Sequence, residues 1–294
     1  MPLDSKTTPG AATVDQPRPA SSVILLRDAA DGPEVLLLRR HGQSEVLAGN
    51  FVFPGGKVDR ADAGLDPDRH IDAPVQLLHE RLGESAVDAA TAAGLYVAAV
   101  RETFEECGLL LAADASPASS TEAAAMLADG RDFNAVLSAL GLRLQCSALA
   151  PWSRWITPVK SPHKRFDTRF FAVRAPAEGV ARHDGREMTE TLWLRPRQAL
   201  QGYWDGAMSL APPQIMTLAH LARFGSVDAA LADAQARRPA LIEPHILGEM
   251  DARVMCYPGD EAHPVRERAM PGPLRLFTRG PRVEPQDGFE GFFG

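Results

Sequence analysis

The stretch "RETFEECGLL" (101–110) places three glutamates within five positions. In a helix, Glu102, Glu105 and Glu106 lie on one face, where each pair of like charges costs about 0.2–0.5 kcal/mol. Mg²⁺ and Mn²⁺ prefer oxygen ligands, so a bound divalent cation would turn this repulsion into attraction. The stretch therefore predicts either a solvated acidic helix face or a metal site.

The same stretch ends the strongest helix prediction in the chain. From about Ser85 to Cys107 the segment is rich in alanine and interrupted only by Gly94, and Gly108 follows where helices commonly end in a left-handed residue. The apolar side of the helical wheel consists of Val97, Val100, Phe104 and Cys107. The pattern predicts an amphipathic helix whose acidic stripe is turned away from the core.

Strands are predicted upstream of this helix. "SSVILLRD" (21–28) and "EVLLLRRH" (34–41), joined by "AADGP", indicate a hairpin, and "FVFPGGKVD" (51–59) is a strand broken by Pro54 and two glycines. The exposed backbone carbonyl of Gly56 could complete an oxygen-only metal site. Arg101 can reach Glu105 at i+4 and hold its carboxylate in one rotamer.

"FPGGKVD" and "RETFEECGL" resemble the two halves of the Nudix box. The spacing between the halves is unusual. Five residues after Gly56 comes Asp62, where the box ordinarily has glutamate, and 38 residues separate Asp62 from Arg101. This interruption, together with "RWITPVKSPHKRFDTRFF" (154–171), is similar to the peroxisomal coenzyme A diphosphatase-like Nudix proteins, which carry an insertion inside the box.

The resemblance covers about residues 22–205 and implies an α+β protein with the Nudix fold. That fold is an α/β/α sandwich around a mixed β-sheet, here expected with helical insertions and a C-terminal extension. The expected organisation is a disordered leader at 1–20, a Nudix hydrolase domain at 21–205 and a helical and irregular extension at 206–294 packed on the domain. Within the domain, residues 60–93 are expected to be the insertion in the box.

The resemblance also implies hydrolysis of a nucleoside diphosphate linked to another group, with Mg²⁺ or Mn²⁺ as cofactor. Glu105 and Glu106 would be the principal metal ligands, and Glu102 a further ligand or the catalytic base. Arg101 would orient the glutamates, and the carbonyl of Gly56 would complete the metal site. The implied catalytic residues are therefore Glu102, Arg101 and Glu105.

Residues outside the box suggest a substrate surface and a second candidate base. Glu187 and Glu190 precede the predicted strand "TLWLRP" (191–196), and either could take a proton from water; a solvated loop is the alternative. A basic group is predicted to bind phosphates, or else to pair with nearby carboxylates. It consists of Arg154, Lys160, His163, Lys164, Arg165 and Arg169. Arg39, with its neighbours Arg40 and His41, is expected to add to it or else to be an exposed charge at a strand end. Trp152, Trp155 and Phe166 are expected to stack on adenine or to belong to the core.

Composition narrows the class of protein. Of 294 residues, 45% are hydrophobic and 23% charged, which is typical of a soluble globular chain. The net charge of -7 argues against a nucleic-acid partner. Three widely spaced cysteines predict neither a disulfide framework nor a zinc site, which fits a reducing cytoplasm. The sequence shows neither a signal peptide nor an apolar run long enough to span a membrane.

The favoured substrate is coenzyme A or an acyl-coenzyme A, cut at the diphosphate. An NADH- or ADP-ribose-type dinucleotide is the alternative substrate. A Nudix module that senses a nucleotide without cleaving it is an alternative of another class, although such a sensor would not need all three glutamates. The extension could also be a partner-binding element or the interface of a homodimer.

Overall fold

The hairpin expected near the N-terminus forms the middle of the sheet. In the computed structural model, which describes residues 16–159, 164–177, 179–249 and 252–294, β1 (Arg18–Ala29) pairs antiparallel with β2 (Gly32–Arg40). The expected leader at 1–20 is therefore too long, because β1 already begins at Arg18, opposite Phe166 of a parallel strand. The rest of the expected leader, up to residue 15, lies outside the described residues.

The other strands and the helices follow the order expected from the sequence. The strands are β3 (Phe51–Val52), β4 (Gly55–Lys57), β5 (Ala150–Ile156), β6 (Phe166–Arg174), β7 (Met188–Leu194), β8 (Ala240–Ile242), β9 (His245–Leu247), β10 (Val254–Cys256), β11 (Arg275–Arg279) and β12 (Arg282–Glu284). The helices are α1 (Arg60–Ala63), α2 (Pro67–His70), α3 (Val75–Leu82), α4 (Ala89–Cys107), α5 (Pro117–Ala128), α6 (Phe133–Leu140), α7 (Pro196–Trp204), α8 (Pro212–Leu221) and α9 (Val227–Ala236).

The main sheet is mixed and is covered on both faces. Its strand order is β3-β2-β1-β6-β5-β8, with β4 also paired to β1 and β7 to β2. Alternate residues of β1 point to opposite cores: Val23 and Leu25 pack with helices α3 to α6, whereas Ile24 and Leu26 pack with α7 to α9. Burial on both faces explains why β1 and β2 are continuous apolar runs. The expected α/β/α Nudix sandwich is confirmed.

Helix α4 is shorter at its start than expected and closes as expected. It begins after Asp88, whose side chain accepts a hydrogen bond from the Thr91 N–H, rather than at Ser85. It ends at Gly108, which has a φ of 72°. Gly94 serves a close helix contact, because a Cβ there would lie 3.0 Å from Ala63 of α1. The glycine therefore allows the inserted helix α1 to pack directly on α4.

Polar caps and prolines mark the starts of three other helices. Helix α5 begins at Pro117, because Ser116 and Ser119 form a capping box before the first turn. Residues 212–236 hold two helices, α8 and α9, and Ser226 caps the second. Proline at the start of α5 and of α8 fits the first helical turn, where its missing N–H has no intrahelical partner.

The C-terminal extension is part of the main structure. Its strand β8 joins the main sheet beside β5, and Tyr257, Leu276 and Phe292 are buried with the residues of α8. Strands β9 to β12 form a second, antiparallel sheet. The core therefore continues past the boundary expected at residue 205. Among the described residues, none of the helices has the length and apolar character needed to cross a membrane.

Candidate active site at the acidic helix

The glycine strand and the acidic helix meet in space although three helices separate them in sequence. Strand β4 pairs with the beginning of β1, with Gly55 opposite Ser22. This pairing brings the Gly55 N–H within 2.8 Å of Glu106 Oε2, to which it donates a hydrogen bond. A Cβ on Gly56 would lie 2.5 Å from the Glu102 carboxylate, so a larger residue there would displace that carboxylate. The two halves of the box form one site.

Arg101 ties both halves together. Its Nε donates to Asp62 Oδ1 at 2.8 Å, and its Nη2 donates to Asp62 Oδ2 at 3.0 Å and to the carbonyl of Lys57 at 2.9 Å. Its Nη1 donates to Glu102 Oε1 at 2.9 Å and to Glu105 Oε2 at 3.0 Å. The expected contact between Arg101 and Glu105 is present. One guanidinium thus fixes the positions of two glutamates relative to the glycine strand.

Asp62 is the residue whose role the sequence left open. Its side chain is 1% exposed and faces Arg101, and its Oδ2 also accepts a hydrogen bond from the Asp59 N–H at 2.7 Å. Asp62 therefore anchors Arg101 and caps helix α1 at the same time. The available signal was its position in the sequence: five residues lie between Gly56 and Asp62, which matches the acidic position of the box.

The acidic stripe does not face solvent as a whole, contrary to the expectation from the helical wheel. Glu106 is 5% exposed, and only Glu105 lies on the surface. The difference arises because α4 is enclosed by β1 and β4 on one side and by α1 and α3 on the other. A single wheel assumes one buried side, whereas this helix has several.

Burial changes the protonation of the three glutamates. Burial raises the pKa of Glu102 to about 7, with Arg101 opposing the rise and Glu105 adding to it. Burial also raises the pKa of Glu106 well above its ordinary value, although the Gly55 N–H opposes the rise, and it raises the pKa of Glu105. The positive charge nearby is too small to keep all three carboxylates ionised at the same time. A cation among them would lower all three pKa values.

The chemistry of this donor set suits a hard divalent cation. Three carboxylates and the backbone at Gly56 supply only oxygen, which Mg²⁺ and Mn²⁺ prefer. In the parts of the chain that the structure describes, no three His, Cys, Asp or Glu side chains converge as a metal centre. Arg101 and the Gly55 N–H hold oxygens of Glu102, Glu105 and Glu106 instead. Their residue types and partly uncompensated charge fit a cation that would compete for these oxygens.

Comparison with known proteins agrees with this geometry. The model of the NUDT19 Nudix domain family matches residues 64–221, which is more than half of the chain. The chain belongs to the NUDT19 Nudix domain family. The solved structure of a Nudix hydrolase from Alicyclobacillus acidocaldarius is similar at 30% identity and a TM-score of 0.62, covering 77% of this chain and 99% of that one.

Two curated relatives extend the similarity over most of this Nudix hydrolase. Putative nudix hydrolase 7 of Caenorhabditis elegans is 27% identical over 264 residues, covering 89% of this chain and 79% of the relative. Acyl-coenzyme A diphosphatase NUDT19 of Gallus gallus is 28% identical over 309 residues, covering 84% of this chain and 80% of the relative. Both alignments therefore reach beyond the residues that the family model matches.

Each of the five predicted substrate-binding residues of the Nudix chain has a carboxylate partner, and Arg154 and Arg169 share one. Arg169 Nη2 lies 2.6 Å from Glu84 Oε2, and Arg154 Nη1 lies 2.8 Å from the same oxygen. Asp167 accepts from Arg154 Nε at 2.7 Å. Contrary to the prediction, Arg154 and Arg169 belong to an internal ion-pair network that ties the end of the insertion to β5 and β6. Both arginines therefore fit the alternative prediction, which was pairing with neighbouring carboxylates.

Two further residues of the predicted basic group, Lys164 and Arg165, lie at the end of the sheet. Lys164 Nζ is 2.5 Å from Glu45 Oε2, and its side chain is half exposed. The hydrogen bond to Lys164 lowers the pKa of Glu45, and the charge of Lys57 in β4 lowers it further. Arg165 donates to the carbonyl of Thr157 at 2.8 Å. Lys160 and His163 lie outside the described residues.

The two candidate bases outside the box, Glu187 and Glu190, lie in different surroundings. Glu187 lies close enough to Glu106 for its charge to help raise the pKa of that carboxyl, although burial is the larger cause. Glu190 instead lies 3.6 Å from Arg39, whose exposed side chain also covers the ring of Phe51. Glu187 in turn lies 3.7 Å from Arg40. The structure places Arg39 in an exposed ion pair at the strand end.

Two of the three aromatic residues of the basic stretch belong to the core, and the third, Phe166, is half-buried. Trp152 is fully buried and packs against His220, and Trp155 is 4% exposed beside Tyr257. Neither ring is available to stack on adenine. The core alternative therefore holds for both tryptophans.

Proposed function

We propose that this Nudix-type diphosphatase hydrolyses the diphosphate of coenzyme A or an acyl-coenzyme A with the aid of Mg²⁺ or Mn²⁺. The observation that carries the proposal is the contact between the acidic helix α4 and the glycine strand β4. Glu106 receives the Gly55 N–H, and Glu102 lies against Gly56. The printed names of the NUDT19 relatives support the choice of acyl-coenzyme A.

The residues divide the work of hydrolysis. Glu105 and Glu106, with the carbonyl of Gly56, would hold the cation, which when bound neutralises phosphate charge and makes a bound water more acidic. Glu102 would be a further ligand or would take the proton from the attacking water, and Glu187 is the second candidate for that proton. Arg101 would keep Glu102 and Glu105 in fixed positions through the hydrogen bonds from its Nη1.

The surface beside the glutamates suits an anionic substrate. Lys57 belongs to the glycine strand, and the half-exposed Lys164 lies beside Glu45, which feels the charge of both lysines. Lys164 could exchange Glu45 for a phosphate oxygen, since an exposed ion pair of this kind is worth only about 0–1 kcal/mol. Arg165 remains a proposed contributor on the same loop. Arg154 and Arg169 are not part of this proposal because carboxylates inside the fold engage them, whereas the exposed Arg39, 3.6 Å from Glu190, remains a proposed contributor like Lys164.

The test is a product assay with Mg²⁺ or Mn²⁺ over coenzyme A, decanoyl-coenzyme A, NADH and ADP-ribose. We expect cleavage of the first two into adenosine 3′,5′-bisphosphate and the corresponding phosphopantetheine. Glu105→Gln should lower kcat by about 100-fold or more, because a carboxylate ligand to the cation is lost. The matched control is Glu122→Gln, an exposed glutamate of α5, which should leave kcat unchanged.

Each departure from this result has a definite meaning. Full activity of Glu105→Gln would refute the site. Preferred cleavage of NADH or ADP-ribose would replace the substrate and keep the diphosphatase chemistry. Tight binding of a nucleotide without turnover, in the presence of either metal, would favour a nucleotide sensor.

A further inference from the structure

A second concave site lies in the C-terminal extension, apart from the acidic helix. It is a cavity of about 740 Å³ between the end of β5 and the segments around β8, β9 and residues 258–269. Such a volume is typical of a small-molecule site. Its apolar lining includes Pro158, Val159, Leu241, Pro244, Ile246 and Val265.

The lining of this cavity concentrates exposed apolar side chains. Among the described residues, five large hydrophobic side chains are exposed, and Val159, Leu241 and Val265 are three of them, at 59%, 53% and 51%. All three line the cavity. Exposed apolar groups collected in one concavity mark a binding site rather than ordinary surface. Most of the lining is proline and aliphatic side chains, and its charged members Arg238, Glu243, Glu267 and Arg268 include both signs.

Hydrogen bonds of His263 stabilise one wall of the cavity. The buried ring of His263 makes a 3.0 Å hydrogen-bond contact with the carbonyl of Glu243 through Nε2, and its Nδ1 accepts from the Val265 N–H at 3.0 Å. These contacts fasten the 263–265 segment to the segment after β8. The concavity is therefore held open by the fold and does not depend on a ligand for its shape.

The strand register places the cavity at the same end of the sheet as the acidic site. Lys57 of β4 lies opposite Ala20 near the start of β1, and β1 starts beside the start of β6. Strand β5 runs the other way and ends at Ile156, opposite Asp167, while β8 ends in the same direction. From β4, which carries Gly56, to β8 there are four strand spacings, which amount to about 19 Å.

Contacts along this end of the sheet connect the two sites. Glu45, which feels the charge of Lys57, binds Lys164, and the neighbouring Arg165 lies 3.3 Å from Glu243 beside the cavity. The surface between the two sites is therefore polar. It suits the amide-containing arm that joins the diphosphate of an acyl-coenzyme A to its acyl group. That arm resembles an extended peptide of about four residues, or about 13 Å, so the arm and the first carbons of the acyl chain together span the separation.

We propose that the cavity receives the acyl group of an acyl thioester whose diphosphate lies at the α4 glutamates. This inference rests on the proposed function and adds the site that would distinguish acylated from free coenzyme A. Each buried methylene of the acyl chain contributes roughly fourfold to affinity. A medium-length acyl chain therefore gains at least 10-fold over free coenzyme A.

The test compares decanoyl-coenzyme A with free coenzyme A, by kcat/KM with Mg²⁺ and by calorimetric binding in EDTA. The variants are Leu241→Asp and Val265→Asp, both at exposed positions where the substitution spares the core. We expect each to lower kcat/KM and affinity for decanoyl-coenzyme A by 10-fold or more and to leave both values for coenzyme A unchanged. The matched control is Leu77→Asp on helix α3, an exposed leucine outside the cavity, which should alter neither substrate.

The outcomes separate this proposal from the proposed function. Equal preference for the two ligands in the wild type, or an unchanged preference in both cavity variants, would overturn the acyl site. If the wild type cleaves neither ligand but the binding preference still disappears in the variants, the proposed function fails and the acyl site stands. A dimer that Leu241→Asp dissociates without changing the preference would assign the cavity to self-association and overturn the proposal.

Discussion

Arg101 is the side chain on which the geometry of the site depends most. Its three guanidinium nitrogens each donate, and together they reach Asp62, Glu102, Glu105 and the carbonyl of Lys57. A lysine could not replace it, because an ammonium group lacks the planar fork that grips one carboxylate with two parallel bonds. Burial acts to lower the pKa of Arg101, but the bond to Asp62 and the surrounding carboxylates raise it above its ordinary value. It stays charged at every working pH.

Removing the anchor of Arg101 should weaken both fold and activity. For Asp62→Ala we expect a loss of about 2–3 kcal/mol in the free energy of unfolding, because a buried charge loses its main partner while the two glutamates remain. We also expect kcat to fall about 10- to 100-fold, as for other groups that position ligands. Urea denaturation and steady-state kinetics measure the two effects.

Two variants make the interpretation specific. Asp62→Asn keeps the shape and one acceptor oxygen, so it should restore much of the stability but little of the kcat. Asp68→Ala removes an exposed aspartate of α2 and should change stability by less than about 0.5 kcal/mol. An Asp62→Ala protein with wild-type kcat would show that Arg101 positions nothing that matters for turnover.

At the scale of elements, helix α4 connects the insertion, the sheet and the site. Its first turn is capped by Asp88, its middle receives α1 at Gly94, and its last two turns carry the glutamates before Gly108 closes it. The helix end is therefore the element boundary closest to the reacting groups. A shift there would move Glu105 and Glu106 directly.

Gly108 provides a test of this boundary. Its φ is 72°, and a Cβ added there meets nothing within 4 Å, so Gly108→Ala should cost only the left-handed conformation, about 1 kcal/mol of unfolding free energy. Gly108→Asn should cost less, because asparagine tolerates that conformation. The control is Gly42→Ala, which also has open space but no positive φ and should cost nothing measurable. Equal stability of Gly108→Ala and the wild type would show that the cap is not maintained by this residue.

At the scale of the whole molecule, the sheet separates two cores of different character. The core on the α4 side adjoins the site, and the core on the α8 side includes the C-terminal extension. His220 of α8 lies in the second core, 4% exposed, with its ring 4.7 Å from that of Trp152 and 5.5 Å from that of Phe224. The cytoplasmic location of the protein and its assembly as a homodimer, both considered from the sequence, stay predictions.

The buried His220 predicts a pH dependence of stability. Burial lowers its pKa to about 4 from an ordinary 6.5, and Arg237 and Arg223 lower it further while Asp233 opposes them. The unfolded chain therefore binds a proton more readily than the folded chain between these values, so stability is full above about pH 6.5 and falls toward pH 4. Between pH 7.5 and 4.5 this one residue should remove on the order of 2–3 kcal/mol of unfolding free energy.

The measurement is urea denaturation at both pH values for the wild type and His220→Phe. The phenylalanine keeps a neutral ring between Trp152 and Phe224, so its stability should fall less over the interval, by the amount stated. His183→Phe, at an exposed histidine, should keep the wild-type dependence. If His220→Phe loses as much stability on acidification as the wild type, protonation of His220 is not the cause.

The fold class followed from the resemblance to the Nudix box, and the sequence by itself determined the hairpin, the acidic helix and the glycine strand. Each of these depends on local rules: apolar runs for strands buried on both faces, alanine content and Gly108 for the helix, and a proline and two glycines for the broken strand. The first residues of the helices are harder to predict from the sequence. Several polar residues near Asp88 and Ser116 could also cap a helix, and the sequence alone does not say which of them does.

Only the tertiary structure decided which charges are free to act. From the sequence alone, the candidate phosphate ligands included Arg154, Arg169 and Arg39. In the folded chain these side chains lie beside the carboxylates of Glu84, Asp167 and Glu190. Asp62 gained its role in the same way, across the inserted helices. The apolar cavity is built from segments far apart in the chain. Charge pairing and enclosure depend on distances between such segments, and local sequence patterns carry no information about those distances.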